Sequence, residues 1–300
     1  MDKGEAERAK DRFSQILLDH LDNRPVATRA LAGYADAYIS QKDFDRAVEA
    51  ATKAIEVNEY NGDAYCILGR AYSLKGEHDK AIVNFNEALE HGTFRKADCY
   101  FYRGNDYYVQ KNYGRAIEDY DHALRFDPNH TKAYNNRGMA YGNKGEYDRA
   151  IEDFDQAIRL DPHDATAYNN RGVAYADKGD KDHAIVDYDQ ALRLDPNHAN
   201  AYYNRGNAYA DKGEYDRAIE DFDQAIRLNP NHAMAYYNRG NAYGKKGEYD
   251  RAIEDYDQTL SLDPNLAQAY NNRGLVYQAK GDTTRAEADF AKARELGYTP

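Results

Sequence analysis

A sequence that repeats every 34 residues is the feature that most constrains how this chain folds. The stretch "YNNRGMAYGNKGEYDRAIEDFDQAIRLDP" begins at Tyr134, and close copies begin at Tyr168, Tyr202 and Tyr236. Eight repeats follow one another without a linker. They span residues 28–61, 62–96, 97–130, 131–164, 165–198, 199–232, 233–266 and 267–300. A unit this short cannot bury its own apolar face, so the pattern predicts repeats stacked on one another rather than two ordinary domains.

Each repeat has the spacing of two helices. With places numbered 1 to 34 in each repeat, small or aromatic residues recur at places 4, 8 and 11 and again at places 20, 24 and 27. These are the intervals that share one face of a helix. Gly145 ends the first helix of repeat four, and Pro162 stops the second. Twenty-two of the 29 tyrosines fall at places 4, 11, 17 and 24, so we interpret the tyrosines as core packing rather than a cofactor site.

The repeat resembles the tetratricopeptide (TPR) repeat over residues 28–300. The resemblance rests on Tyr or Leu at place 4, Gly at 8, Tyr at 11, Ala at 20, Phe or Tyr at 24, Ala at 27 and Pro at 32. It implies an all-α fold, a right-handed superhelical α-solenoid of stacked antiparallel helix pairs. First helices (helix A) would line a concave groove, and second helices (helix B) would form the convex surface. It also implies a protein that binds proteins or peptides and is not an enzyme.

Charge and hydropathy exclude several classes of partner. The formal net charge of -12 argues against nucleic acid or an anionic membrane as the main partner. No apolar run approaches the roughly 18 residues of a membrane helix, and no signal peptide opens the chain. The near-identical repeats are similar to prokaryotic TPR arrays. We therefore expect a cytoplasmic protein without membrane insertion.

Catalytic, metal and redox sites are not expected. The turn "KGEYD" is not a phosphate-binding loop, and His130, His198 and His232 close their repeats at turns that favour histidine without a metal. We expect no cofactor. The two cysteines, Cys66 and Cys99, exclude a disulfide framework. They occupy places 5 and 3 of neighbouring first helices, which point differently, so a single disulfide is the less favoured alternative.

The ends of the chain suggest two alternative functions. Residues 1–27 resemble the second half of an upstream repeat, with a helix that runs on to Pro25. The last helix, "TRAEADFAKARELG", places Ala286, Phe290, Ala293 and Leu296 on one face. If both ends are open, head-to-tail self-association would give a structural scaffold. The other alternative is the interaction or sensor region of a larger multidomain protein.

Arginine stands at place 7, where TPR repeats usually carry an apolar residue, and it occurs together with aspartate at place 23. Repeats three to eight have both residues, whereas repeats one and two have neither. We therefore predict a structural ion pair between the two helices of a repeat. The pairs of repeats four to seven are Arg137 with Asp153, Arg171 with Asp187, Arg205 with Asp221, and Arg239 with Asp255. Aspartate at place 25, as in Asp155, is a competing partner, and duplication without coupling is the alternative explanation.

Asparagine at place 6 is the candidate for ligand binding. It is constant over the last five repeats, as Asn136, Asn170, Asn204, Asn238 and Asn272. An amide both donates and accepts, so a row of them can pair with an extended peptide backbone. Variable groove positions add Tyr203, Tyr237, Asn207 and Asn241. The alternative is that the adjacent helix or water satisfies the asparagines. We expect a neutral or basic peptide, since the net charge is -12. A clamp on a C-terminal carboxylate is less favoured, because Arg29, Arg70, Lys132 and Lys245 are widely scattered.

Overall fold

The computed structural model describes residues 24–299, and this stretch is helical throughout apart from short connections, without a strand. Sixteen helices are described. They are α1 (Arg24–Ser40), α2 (Phe44–Val57), α3 (Gly62–Leu74), α4 (His78–His91), α5 (Lys96–Val109), α6 (Tyr113–Phe126), α7 (Thr131–Asn143), α8 (Tyr147–Leu160), α9 (Ala165–Lys178), α10 (Lys181–Leu194), α11 (Ala199–Asp211), α12 (Tyr215–Leu228), α13 (Ala233–Lys246), α14 (Tyr249–Leu262), α15 (Ala267–Ala279) and α16 (Thr283–Glu295). The predicted all-α class is confirmed.

The chain divides into an N-terminal part, Met1–Asp153, and a C-terminal part, Phe154–Pro300, with the boundary inside the sequence of α8. In each part, a first helix packs most extensively on the second helix of its own repeat, as α5 does on α6 and α11 does on α12. The second helix then packs on the first helix of the next repeat. Because turns of about three residues join the two helices of a pair, each pair is antiparallel.

Local sequence sets the helix ends. Asn61 Oδ1 accepts from the backbone N–H of Ala64 and so caps the N-terminus of α3. The turn between α7 and α8 contains Gly145 with φ of 77°, as the sequence predicts. Repeats one and three place Lys42 and Lys111 at the corresponding turn, each with φ of 60°. The turn conformation is therefore retained where glycine is absent.

The first described helix begins earlier than predicted. Helix α1 starts at Arg24 and includes Pro25, which we had expected to stop a preceding helix. Proline is readily accommodated in the first turn of a helix, because its missing N–H would have no helical partner there. The predicted helix within residues 1–23 lies outside the described residues.

In repeats two, three and five to eight, an aromatic ring at place 24 packs on the glycine at place 8. Phe222 on α12 is fully buried, and a Cβ added to Gly206 on α11 would lie 2.8 and 2.9 Å from its ring atoms. The same approach brings Tyr188 onto Gly172. Only a residue without a side chain permits this distance between the two helices, so glycine at place 8 is required by packing.

We expect Gly206→Ala to lower the free energy of unfolding by about 2 kcal/mol, because the new methyl group overpacks against the buried Phe222 ring. Gly33→Ala on α1 is the matched control, since no atom lies within 4 Å of an added Cβ. That variant should gain up to about 1 kcal/mol from the higher helix propensity of alanine. Chemical denaturation followed by circular dichroism measures both, and equal effects would refute the packing argument.

The last helix does not present the apolar face that we predicted. Ala286 and Ala293 are only 2% and 1% exposed, because they face α15 in their own pair. Inner repeats instead cover the next repeat with Ile or Leu at places 21 and 28; Ile219, for example, packs with Tyr243. Repeat eight carries charged residues at those places, Glu287 and Arg294, both exposed. The outer surface of α16 is therefore polar where inner repeats are apolar.

The structure joins Cys66 and Cys99 in a disulfide, so the preference for two free thiols was wrong. Their Cα atoms lie 5.7 Å apart on α3 and α5. In neighbouring first helices, residues at the same place of two repeats do not lie opposite each other. A residue at place 5 faces the side of the next first helix that carries places 3 and 6, which are three residues apart on one face. Place 5 of repeat two can therefore reach place 3 of repeat three.

Candidate functional site

The asparagines that recur at place 6 in the C-terminal part join successive first helices. Asn238 on α13 donates its amide to Asn207 Oδ1 at 2.8 Å and to the Tyr203 hydroxyl at 3.2 Å, both on α11. Place 6 thus inserts between places 5 and 9 of the preceding repeat. The amide N–H groups of Asn238 are used within the protein rather than left for a ligand.

The same contact recurs one repeat earlier and one repeat later. Asn272 on α15 donates to Asn241 Oδ1 and to the Tyr237 hydroxyl, each at 2.9 Å. Asn204 on α11 donates to Asn169 Oδ1 on α9 at 3.0 Å. We call Asn204, Asn238 and Asn272 with these partners the asparagine ladder. The amide N–H groups of these asparagines are therefore satisfied by the adjacent first helix, as in the alternative explanation given above.

The other two asparagines at place 6 have related surroundings. Asn136 lies in the N-terminal part and donates to Asn105 Oδ1 at 2.8 Å, an oxygen that also accepts from the Tyr120 hydroxyl. Asn170 accepts from Asn169 Nδ2 at 3.3 Å. Each thus takes part in a polar contact on the helix A side of its own part of the chain.

The tyrosines at place 5 are half-buried members of the ladder rather than free aromatic side chains. The ring of Tyr203 lies 4.6 Å from the His232 ring, and that of Tyr237 lies 6.1 Å from the Tyr256 ring. Burial raises the pKa of Tyr237, and the hydrogen bonds with Asn241 and Asn272 only partly oppose this. Both hydroxyls accept from an asparagine amide of the next repeat and so hold it in place.

Arginine at place 7 connects three helices. Arg205 on α11 donates from Nε and Nη2 to the two carboxylate oxygens of Asp221 on α12, at 2.8 and 2.7 Å. Its Nη1 donates to Asp189 Oδ1 on α10, which belongs to the preceding repeat, at 2.5 Å. The Asp221 side chain is 6% exposed and that of Asp189 is 44% exposed. The place-25 aspartate is thus a simultaneous partner rather than a competing one.

The geometry recurs in every repeat that carries the arginine. The bidentate contacts are Arg103–Asp119, Arg137–Asp153, Arg171–Asp187, Arg205–Asp221, Arg239–Asp255 and Arg273–Asp289. The second partners in the preceding repeats are Asn86, Asp121, Asp155, Asp189, Asp223 and Asp257. We call this set the arginine ladder. Since two acidic groups face each guanidinium in repeats four to eight, the ladder is poorly suited to bind phosphate.

Electrostatics agree with this structural role. Burial alone would lower the pKa of Arg205, but the hydrogen bonds and charges of Asp221 and Asp189 raise it. The guanidinium therefore stays charged at any pH at which the protein is folded. The contribution of Arg205 to the free energy of unfolding is the gain from these contacts less the cost of removing the charges from water.

The N-terminal part contains a polar cluster that the sequence did not predict. Arg70 lies over the Tyr102 ring, 5.0 Å from its centroid, and its Nη1 is 3.6 Å from Asp36 Oδ1. Arg95, from the connection that holds the extra residue of repeat two, donates to Asp36 Oδ2 at 2.6 Å. The two arginines thus share one carboxylate. Arg95 stands directly before α5, at place 34, where no other repeat carries arginine.

A buried carboxylate marks the contact between repeats two and three. Asp106 on α5 is 1% exposed, and its Oδ1 accepts from the Ser73 hydroxyl at 2.8 Å and lies 2.7 Å from His78 Nδ1. Burial raises the pKa of Asp106, although His78 and Ser73 oppose the shift. The sequence held a signal, since the seven other repeats have Ala or Val at place 10.

The terminal histidines of the repeats act as helix caps. Nδ1 of His130, His198 and His232 accepts from the backbone N–H three residues later, at 3.2 to 3.3 Å. Among residues 24–299, no group of three or more His, Cys, Asp or Glu side chains is arranged to hold a metal ion. The helices described in that range include none with the length and apolar content needed to cross a membrane.

Comparison with family models identifies the same repeat. One model described as "Tetratricopeptide repeat" matches residues 1–58, 35–94 and 135–199, which together make up more than half of the chain. Other models with this description match residues 97–130, 187–220, 233–266 and 255–288. A model described as "TPR repeat" matches residues 206–247.

Two solved structures are similar in sequence as well as fold. YrrB, described as "a TPR protein with an unusual peptide-binding site", is 30% identical, with a TM-score of 0.53, over 63% of this chain and 96% of that chain. MamA is 36% identical, with a TM-score of 0.51, over 53% of this chain and 93% of that chain. The APC/C hetero-tetramer Cut9-Hcn1 shares the fold alone, at 23% identity and a TM-score of 0.64.

Curated relatives match over shorter segments. A DnaJ homolog subfamily C member 7 homolog of Schizosaccharomyces pombe is 34% identical over 149 residues, which are 45% of this chain and 31% of that protein. The Hsp70-Hsp90 organizing protein 1 of Glycine max is 29% identical over 133 residues, which are 44% of this chain and 22% of that protein. The chain thus spans less than a third of these two relatives.

Proposed function

Because the chain belongs to the tetratricopeptide repeat family, we propose that it is a non-catalytic scaffold that binds an extended peptide or protein segment. The binding surface is the helix A side of the C-terminal part, along the asparagine ladder. The similarity to YrrB, whose title names a peptide-binding site, supports this class of ligand. The fold is built from paired helices, and the histidines that close repeats three, five and six cap the helices that follow.

The observation that carries the proposal is a row of asparagines whose amide N–H groups are already bonded while their amide oxygens are open. Asn204 and Asn238 donate to the preceding repeat, and within residues 24–299 no donor is bonded to the Oδ1 of either. Both residues are half-exposed. Fixed acceptors one repeat apart suit the N–H groups of an extended backbone, which every peptide sequence carries.

Apolar contacts are available beside this row. Met234 on α13 and Leu275 on α15 are 39% and 50% exposed, in the same helices as Asn238 and Asn272. They supply adaptable hydrophobic contact for ligand side chains. The formal net charge of -12 favours a neutral or basic ligand over an acidic one.

Alanine substitution of Asn170, Asn204 and Asn238 together should weaken peptide binding at least about tenfold, or 1.4 kcal/mol. The variant loses the open amide oxygens of Asn204 and Asn238, which would hold the ligand backbone, together with the Asn170 oxygen that accepts from Asn169. A peptide selected on the unchanged protein from a random display library serves as the probe, and isothermal titration measures its affinity. Circular dichroism should show little loss of helicity.

Glu220→Ala on α12 is the control, because its exposed side chain lies on the helix B surface. It should bind the selected peptides as the unchanged protein does. If Glu220→Ala abolished binding while the triple variant kept full affinity, the ligand would use the outer surface and the proposal would fail.

Self-assembly through the ends is the weaker candidate. Its predicted contact surface included Ala286 and Ala293, which are buried inside the last helix pair. The places that cover a following repeat are charged in repeat eight, as Glu287 and Arg294. A role as the interaction region of a larger protein remains compatible with groove binding, and it is not a separate mechanism.

A further inference from the structure

Three exposed aromatic side chains lie at the connections that follow second helices in the N-terminal part. Tyr60, Phe94 and Phe126 are 66%, 102% and 52% exposed, and all other Phe and Tyr side chains described in residues 26–299 are less exposed. Phe94 makes essentially no packing contact in the folded chain. Core packing, which explains most of the aromatic residues, therefore does not explain these three.

Tyr60 and Phe94 occupy the same place in successive repeats. Both stand at place 33, in the connections after α2 and α4. The later repeats carry polar residues there. They are Asn129, His163, Asn197, Asn231 and Asn265. A polar residue thus suffices for the turn in five repeats, so the aromatic rings of the first two have another use.

The two connections are held in fixed conformations. The backbone N–H of Phe94 donates to Asp63 Oδ1 at 3.0 Å, and the Thr93 hydroxyl donates to the same oxygen. The backbone N–H of Tyr60 donates to Asn58 Oδ1 at 3.1 Å. Asp63 lies in the first turn of α3, the helix that begins just after Tyr60. Its two hydrogen bonds therefore tie the Phe94 connection to the same helix that follows the Tyr60 connection. The backbone positions from which the two rings extend are therefore fixed before a partner binds.

Two carboxylates, Glu59 and Glu87, lie on the Tyr60 side of the pair. The His91 ring lies 5.3 Å from the Tyr60 ring in an edge-on contact, and its Nε2 is 3.3 Å from Glu87 Oε2. Glu59 precedes Tyr60, and both Glu59 and Glu87 act on the neighbouring Tyr65, whose pKa burial and these two charges raise. The nearest arginine, Arg95, already binds Asp36 at 2.6 Å.

We propose that Tyr60 and Phe94 form a docking surface for an arginine-containing segment of a partner protein, separate from the asparagine ladder. Aromatic faces attract guanidinium groups, and Arg is the cation that stacks on them most often. The adjacent carboxylates of Glu59 and Glu87 add hydrogen-bond acceptors of the opposite charge. A purely apolar partner would make no use of these carboxylates.

The test uses a fluorescein-labelled synthetic peptide of alternating arginine and glycine, at about 0.15 M ionic strength so that distant charges are screened. A peptide with citrulline in place of each arginine keeps the shape and removes the charge. Fluorescence anisotropy measures the affinity of both. The arginine peptide should bind the unchanged protein at least tenfold more tightly than the citrulline peptide does.

The double change Tyr60→Ala with Phe94→Ala should weaken binding of the arginine peptide at least tenfold, and both sites are exposed enough to leave the fold intact. Asn129→Ala, at the same place of the third connection, is the matched control and should be neutral. Asn204→Ala with Asn238→Ala removes only the backbone contacts of the ladder, so it should weaken the arginine and citrulline peptides equally and leave the preference for the arginine peptide unchanged, which separates this surface from the ladder. Equal binding by the aromatic double variant, equal binding of the citrulline peptide, loss only in the asparagine variant, or no binding at all would each overturn the proposal.

Discussion

Asp221→Ala should lower the free energy of unfolding by about 3 kcal/mol. The change leaves Arg205 partly buried without its bidentate partner, and breaking a buried pair by removing one member costs about 3–5 kcal/mol. We expect the low end of that range, because Arg205 is 20% exposed and keeps its contact with Asp189. Urea denaturation followed by circular dichroism gives the difference.

The double variant Arg205→Leu with Asp221→Ala distinguishes coupling from duplication. Repeats one and two fold without the pair, and Leu68 at place 7 of repeat two is 6% exposed. The double variant should therefore recover most of the lost stability, with a coupling energy of about 2 kcal/mol. Additive effects of the two single changes would instead indicate that the residues were copied together without depending on each other.

Asp189→Ala is the matched control for the second contact of the same arginine. Its carboxylate accepts one hydrogen bond and is 44% exposed. Exposed ion pairs contribute about 0–1 kcal/mol, so this change should cost about 1 kcal/mol or less. A cost as large as that of Asp221→Ala would show that the contact between repeats matters as much as the contact within the repeat.

Reduction of the Cys66–Cys99 bond should lower the free energy of unfolding by about 3–4 kcal/mol. The cysteines are 33 residues apart, and closing a loop of that length removes a corresponding amount of entropy from the unfolded chain. Urea denaturation with and without a thiol reductant measures the effect.

The variant Cys66→Ala with Cys99→Ala controls for other effects of the reductant, and its unfolding should be the same with and without it. Titration of thiols in the denatured, unreduced protein gives an independent check. Two free thiols per chain would contradict the bond. A stable disulfide would also argue against the predicted cytoplasmic location, because disulfides persist mainly in oxidising compartments.

The sequence by itself determined the helix pairs and the side chains that pack between the two helices of a pair. The period of 34 residues, the spacing of Tyr141 and Phe154, and the glycine at place 8 predict two helices in close contact. These features act over a few helical turns, where the geometry of the helix fixes which residues share a face. The co-occurrence of Arg205 and Asp221 also indicated their contact, since both occur or both are lacking in each repeat.

The sequence did not reveal how one repeat lies against the next. Asn238 bonds to residues 31 and 35 positions earlier, and Cys66 reaches Cys99 across 33. These offsets depend on how far successive first helices are displaced along their axes, which the packing of whole side chains decides. The same displacement brings Asp189 to Arg205 and leaves the Oδ1 of Asn238 open. The repeat was therefore determined by local spacing, whereas the candidate site, which lies between repeats, was decided by the tertiary structure.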